Sequence, residues 1–506
     1  MKFFLRLIRP ACLIAIGGVL ASPMTVAAQS FSGKVVTDRN SAWIGVGGEG
    51  SFRIFGGFEW GDSGSGLSIG MSGGSGYVEI SSGSITAAVI HVSGASSTGT
   101  FNLRGGETRA GALSIHGGGT MLVEPGAFFS ANYLQIQDAA GEPPATLIHK
   151  GLLEVRYFWR SGYGSSSRVE IDGGTIRFNS ATSNIYGFLP GDVTLANAGG
   201  IFDTQGFSVP IDVTLGGAGA LTKTGSGTLS LNTSQSYTGA THVNEGTLKV
   251  RNGTFASASV ALAEGTTFEA ENVPSYSGAI TGEGRFVKLG PDTTTLSGES
   301  TYTGTTTITE GRLVVNGSIA SSALTTVGNG GTLSGSGTVG ALVVEGTLSP
   351  GNSPGTLNAG DTDWLSGATY VWEINDATGE AGTNWDLLSV NGTLSLTGLD
   401  AGNPFTIALH SLGLDDEPGL TANFNPTKSY TWILVTTTSG ISGFDESTFV
   451  IDASGFANAP HSSRFSISSD GTTLSLIYSA VPEPATWGAM IGIGLLAMAA
   501  LRRRRA

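Results

Sequence analysis

The chain has 506 residues, of which 79 are Gly, and only 13% carry charge. A formal net charge of −14 excludes nucleic acid as a partner, because that affinity comes largely from Lys and Arg neutralising phosphates. A 40% apolar fraction argues for a packed chain despite the glycine, and the single cysteine, Cys12, leaves everything after it without a disulfide, a thiolate metal site or a thiol nucleophile.

Residues 1–28 open with Lys2, Arg6 and Arg9, continue through the apolar run Ala11 to Leu20, and end on Val26, Ala27 and Ala28. This pattern predicts a secretory signal peptide cut after Ala28, with the Sec translocon and signal peptidase as its partners.

Residues 29–200 carry a loose repeat. Gly50–Ile54, Gly76–Ile80, Gly99–Leu103 and Gly119–Val123 share the form Gly-x-apolar-x-apolar, and Val169 to Phe178 carries the same alternation. Apolar residues at every second position are the signature of a strand with one buried face. Pro143 and Pro144, and the run Tyr157 to Arg160, read as a less regular patch.

Residues 201–358 hold the clearest signal. The segment Gly216 to Val250 recurs without a gap 65 positions later, placing Gly217, Gly219, Lys223, Gly225, Leu231, Tyr237, Gly239, Glu245 and Val250 on Gly282, Gly284, Lys288, Gly290, Leu296, Tyr302, Gly304, Glu310 and Val315. Short strands between glycine corners, repeated along a chain, suit a solenoid, since one coil cannot bury its apolar face alone but a stack can. With coils of roughly 20 to 25 residues, Ser41 to Leu357 would make roughly 13 to 16 of them.

These residues resemble the autotransporter-associated β-strand repeat. The resemblance implies a right-handed parallel β-helix in an exported bacterial surface protein. The second copy departs from the pattern at Pro291 to Thr294, where a local bulge is expected.

Residues 359–480 change character. Tyr370 to Asp376, Trp385 to Val390, Tyr430 to Val435 and Thr473 to Tyr478 are longer, aromatic-rich strands. They read as a β-rich domain capping the solenoid, with Trp and Tyr in its core.

In residues 481–506, Pro482, Glu483 and Pro484 precede the apolar run Ala485 to Leu501 and the cluster Arg502, Arg503, Arg504 and Arg505. The run is at the short limit for a transmembrane helix, and the arginines should stay cytoplasmic and stop transfer. This tripartite end resembles the PEP-CTERM sorting signal. The resemblance implies recognition by an exosortase in a Gram-negative bacterium that makes exopolysaccharide, with the protein held briefly in the membrane before it reaches the surface or matrix.

Little in the chain points to chemistry. His91, His116, His149, His242, His410 and His461 are scattered, without metal-ligand spacing, and each reads as a surface or loop histidine. Glu245 and Glu310 recur in Glu-Gly turns, and Asp361, Asp363 and the run Asn375 to Glu380 lack a complete calcium loop. No catalytic, cofactor-binding or metal residue is expected. The expected function is a non-enzymatic structural or adhesive surface protein whose contacts are exopolysaccharide or further copies of itself, within a biofilm matrix. The alternative is a polysaccharide lyase or hydrolase on the same scaffold, which needs acids clustered on one face.

Overall fold

The computed structural model describes residues 29–480 apart from 34, 38–40, 47–48, 55–58, 61–65, 95, 139, 163–166 and 459–461. Ala28 and the signal segment lie outside the described residues, as do Pro482, Glu483, Pro484, the expected membrane helix and Arg502 to Arg505. No helix among the described residues is long and apolar enough to cross a membrane. The described chain is all-β, a parallel solenoid of about 14 turns, and it divides into two compact units at Glu269/Ala270.

In the first unit most coils contribute three strand segments. One segment of each coil forms the ladder Glu49–Ile54, Ser75–Ile80, Thr98–Leu103, Gly119–Val123, Thr146–His149, Arg168–Ile171, Val193–Leu195 and Leu215–Gly217, all paired in parallel. The other two sides begin as single long strands, Ser84–Val92, Glu107–His116, Phe128–Asp138 and Leu152–Gly162. They then divide into pairs such as Thr175–Phe178 with Asn184–Tyr186, and Leu221–Thr224 with Thr228–Leu231. The N-terminal edge is closed by antiparallel pairing of Gln29–Gly33 with Glu49–Ile54.

The period of two decides what is inside. In-register partners stack into rows along the core, as in Phe101, Met121, Leu147, Val169, Val193 and Leu215, every one fully buried. Each row removes apolar surface from water that a single coil would leave exposed, at roughly 25 cal/mol per Å². The run Tyr157 to Arg160 is no irregularity. It lies inside the 11-residue strand Leu152–Gly162, paired in step with Phe128–Asp138.

In the second unit Thr306–Val315 and Thr325–Gly335 pair in parallel and lead into the ladders that follow. Parallel stacking continues past residue 359: Leu342–Val344 pairs with Thr362–Leu365, which pairs with Leu394–Gly398, and Thr369–Ile374 pairs with Phe405–Ser411 and then Phe449–Gly455. Only at the end do Tyr430–Thr437, Thr473–Tyr478 and Phe465–Ser469 pair antiparallel. Trp364, Trp372, Trp432, Tyr370 and Tyr478 are buried there, filling the wider coils.

The bulge expected at Pro291 to Thr294 is absent, because Thr293–Leu296 pairs in unbroken register with Arg312 to Val315. Pro291 sits in the corner before this strand, where its missing N–H costs the ladder nothing. The register shift falls instead between Ile308 and Glu310. Thr294 takes the interior place that Leu229 holds in the first copy, and its hydroxyl is buried without a partner.

Candidate functional surface

The repeat residues turn inward. Lys223 lies in a core row between Phe202 and Val243, its stem packed as an apolar chain and its exposure nil. Its Nζ donates to the carbonyls of Thr224, Gly225 and Glu245 at 2.9, 2.6 and 3.0 Å. Three acceptors match the three protons of an ammonium group, and the third belongs to the next coil, so the side chain ties two coils together. Lys288 repeats the arrangement on Leu289, Gly290 and Glu310. Burial pulls the Lys223 amine down to about 8, against the raising pull of Glu245 and Asp203.

A second inward device accompanies each lysine. Tyr237 is fully buried and its hydroxyl meets Thr241 Oγ1 at 2.7 Å; Thr241 meets Ser257 Oγ at 2.8 Å, and Ser257 donates to Gly239 O at 3.0 Å. Tyr302, Thr306, Ser322 and Gly304 form the same chain in the second copy. Lys223, Tyr237 and their counterparts in the second copy thus serve the interior, whereas the recurring Glu245 and Glu310 offer their side chains at exposed corners, with Glu245 accepting from Gly225 N at 3.1 Å.

Several of the acids that could have served chemistry are spent on backbone and side-chain donors, while Asp363 is exposed. Asp361 accepts from Thr393 N at 2.8 Å, and Asp376 accepts from Thr378 N at 2.9 Å and from Asn423 Nδ2 at 2.9 Å. Asp386 is fully buried and accepts from the backbone N–H groups of Gly355 and Glu373 at 2.9 and 3.0 Å. Burial and the nearby Glu373 charge push it well above the carboxylate range. Ser353 donates to Glu373 at 2.5 Å beside it, so the group pins the 351–355 turn to the strands that follow. Among the described residues no three His, Cys, Asp or Glu side chains are grouped to hold a metal ion.

The histidines correct one expectation. His242 and His410 are exposed, His91 and His116 face outward with ring centroids 5.8 Å apart, and His461 lies outside the described residues. His149 is instead buried, in a core row with Leu103, Val123, Ile171 and Leu195. Its Nε2 donates to Thr175 O at 2.9 Å, while Nδ1 is buried without a partner. Burial lowers its pKa to about 4. The loose repeat hid this inward position, since no second copy marks it.

Outward-facing aromatics gather on one side of the first unit. Tyr133 and Tyr157 are in-register partners, with centroids 5.6 Å apart and planes within 17°. Two residues further along Leu152–Gly162, Trp159 pairs with Tyr186 of Asn184–Tyr186, the next coil, at 6.2 Å and 8°. Tyr133 meets Trp159 edge-on at 89°, so the pairs stand at right angles. Arg156 lies over the Tyr157 ring at 5.1 Å and donates to Thr182 Oγ1 at 2.9 Å. Tyr133 and Tyr186 remain 44% and 38% exposed. Strands one coil apart supply these rings, so in the sequence Tyr133 and Tyr186 stand far from the run that holds Tyr157 and Trp159.

Residues 221–250 and 286–315 match the passenger-associated-transport-repeat family, and residues 480–505 match the PEP-CTERM protein-sorting motif. A stretch of 105 residues, 20% of the chain, is 41% identical to a tenth of the extracellular serine protease of Serratia marcescens. A stretch of 162 residues, 30% of the chain, is 33% identical to 4% of the adhesin BmaC autotransporter of Brucella suis biovar 1. The chain therefore spans a tenth or less of the length of these relatives. It carries the sorting motif and the passenger repeats, the marks of an exported surface protein.

Proposed function

We propose that the protein is a non-catalytic structural or adhesive component of the cell surface, delivered there by an exosortase. The observation that carries this reading is the sorting motif at 480–505 in the same chain as a disulfide-free solenoid. Export would use the signal segment ending at Ala28, Sec and signal peptidase. Pro482, Glu483 and Pro484 would then be presented to the exosortase, while Arg502 to Arg505 hold the tail at the cytoplasmic side. The solenoid offers many similar outward positions on a rigid frame, which favours polyvalent weak contacts with exopolysaccharide or with further copies of the chain. The likeness to part of an adhesin supports a binding role, and the likeness to part of a protease covers only a fifth of this chain.

The test is intact mass of the protein from membrane, surface and medium fractions, with and without deletion of residues 482–506. The expected mature species begins near Gln29 and ends near Pro484, and it leaves the surface fraction when the tail is deleted. A full-length tail persisting in the inner membrane would refute exosortase processing.

A further inference from the structure

We propose that the aromatic face built on Phe128–Asp138, Leu152–Gly162 and Asn184–Tyr186 is a binding site for a neutral pyranose polysaccharide. This deepens the adhesive reading above and rests on it. Large aromatic side chains left in water cost free energy, and grouped exposed apolar surface on a soluble protein marks a contact site. Tyr133 and Tyr186, two of the six exposed large hydrophobics among the described residues, belong to this face.

The chemistry of the group selects the ligand. A pyranose ring has an apolar face of C–H groups that stacks on an aromatic ring, and a rim of hydroxyls that needs hydrogen-bonding partners. Tyr133 with Tyr157, and Trp159 with Tyr186, provide two ring pairs set at right angles, with rings offered at successive coils along the stack. Amides and hydroxyls flank them. Gln135 donates to Ser161 Oγ at 2.6 Å, Asn184 donates to Asp212 at 3.0 Å, and Gln137 is exposed beside them. In-register pairing holds the rings in place before any ligand arrives, which reduces the ordering cost of binding.

Charge argues against the other chain molecules that stack on aromatics. Single-stranded nucleic acid needs a cationic groove along its backbone. Here Arg156 is the cation placed against the rings, Arg160 is buried on Asp192, and the whole chain is strongly acidic. A neutral polymer of sugar rings fits both the rings and the charge.

The experiment is native affinity electrophoresis of the full chain in gels containing hydroxyethyl cellulose, galactomannan or dextran, with alginate as the anionic comparison. At least one neutral polymer should retard the protein, and alginate should not. Trp159→Ala, and the double variant Tyr133→Ala with Tyr186→Ala, should each weaken retardation about tenfold. Tyr133→Phe with Tyr186→Phe keeps the rings and should bind as the parent does, and the alanine variants should still unfold cooperatively in urea, so that their lost retardation reports lost stacking and not lost fold.

No retardation by any of the three neutral polymers overturns the proposal. So does unchanged retardation of the alanine variants, equal retardation by alginate, or a dimer that these variants abolish without any polysaccharide effect. The two readings fail separately. A chain retained in the inner membrane yet retarded in the gel refutes surface delivery alone, and a surface protein that is not retarded refutes this site alone.

Discussion

Replacing His149 by leucine should abolish much of the loss of stability that the protein undergoes between neutral pH and pH 4. The folded imidazole is held near 4, against an ordinary value of 6.5. Between those values the unfolded chain takes up a proton that the folded chain refuses, so stability falls as pH falls through this window. The geometry says why. Nε2–H is committed to Thr175 O, and a second proton would have to enter at Nδ1, which is enclosed without an acceptor. The shift corresponds to about 3 kcal/mol across the window.

Leucine suits the row of Leu103, Val123, Ile171 and Leu195, so the variant should lie within about 1.5 kcal/mol of the parent at pH 7. Urea unfolding of parent and variant at pH 7 and pH 4 measures the difference, and ¹⁵N imidazole spectra report the tautomer and the titration directly. Equal losses in parent and variant, or a His149 that titrates near 6.5, would refute the reasoning.

Lys223→Met keeps the apolar stem but leaves three carbonyls without their donor, and should cost about 2 kcal/mol or more in urea unfolding. Because burial holds this amine near 8, below its ordinary 10.5, parent stability should rise relative to the variant as pH climbs through that interval, measured by the same unfolding midpoints. Gly239→Ala would bring a Cβ to 2.2 Å from Gly219 O in the coil before it, and should cost about 2 kcal/mol or more in thermal denaturation. Gly206→Ala, where a Cβ meets nothing nearer than Ser226 Oγ at 3.8 Å, should leave the melting temperature almost unchanged. Tyr237→Phe should cost about 1 kcal/mol by unhooking the hydroxyl chain to Thr241 and Ser257.

Fold class was legible in the chain itself, because a solenoid is written twice: once as alternation within each strand and again as recurrence between coils. The 65-residue repeat fixes which letters matter, and the alternation at Leu229 and Leu231 or Leu248 and Val250 fixes which side is buried. The tail motif is equally local, a run of consecutive residues readable without any fold.

What only the tertiary structure decided is how residues one coil apart meet. Lys223 recurs in the sequence as Lys288, but that carbonyls from two coils surround its ammonium group is visible only in the fold. His149 reads as a loop histidine until register places it between Val123 and Ile171. Pro291 reads as a distortion until the strand is found to begin two residues later. Tyr133, Tyr157, Trp159 and Tyr186 lie on three different coils and become one surface only by stacking. Alternation assigns a side chain to a face, but its neighbours on that face are set by inter-coil register, which depends on the length and path of every intervening turn.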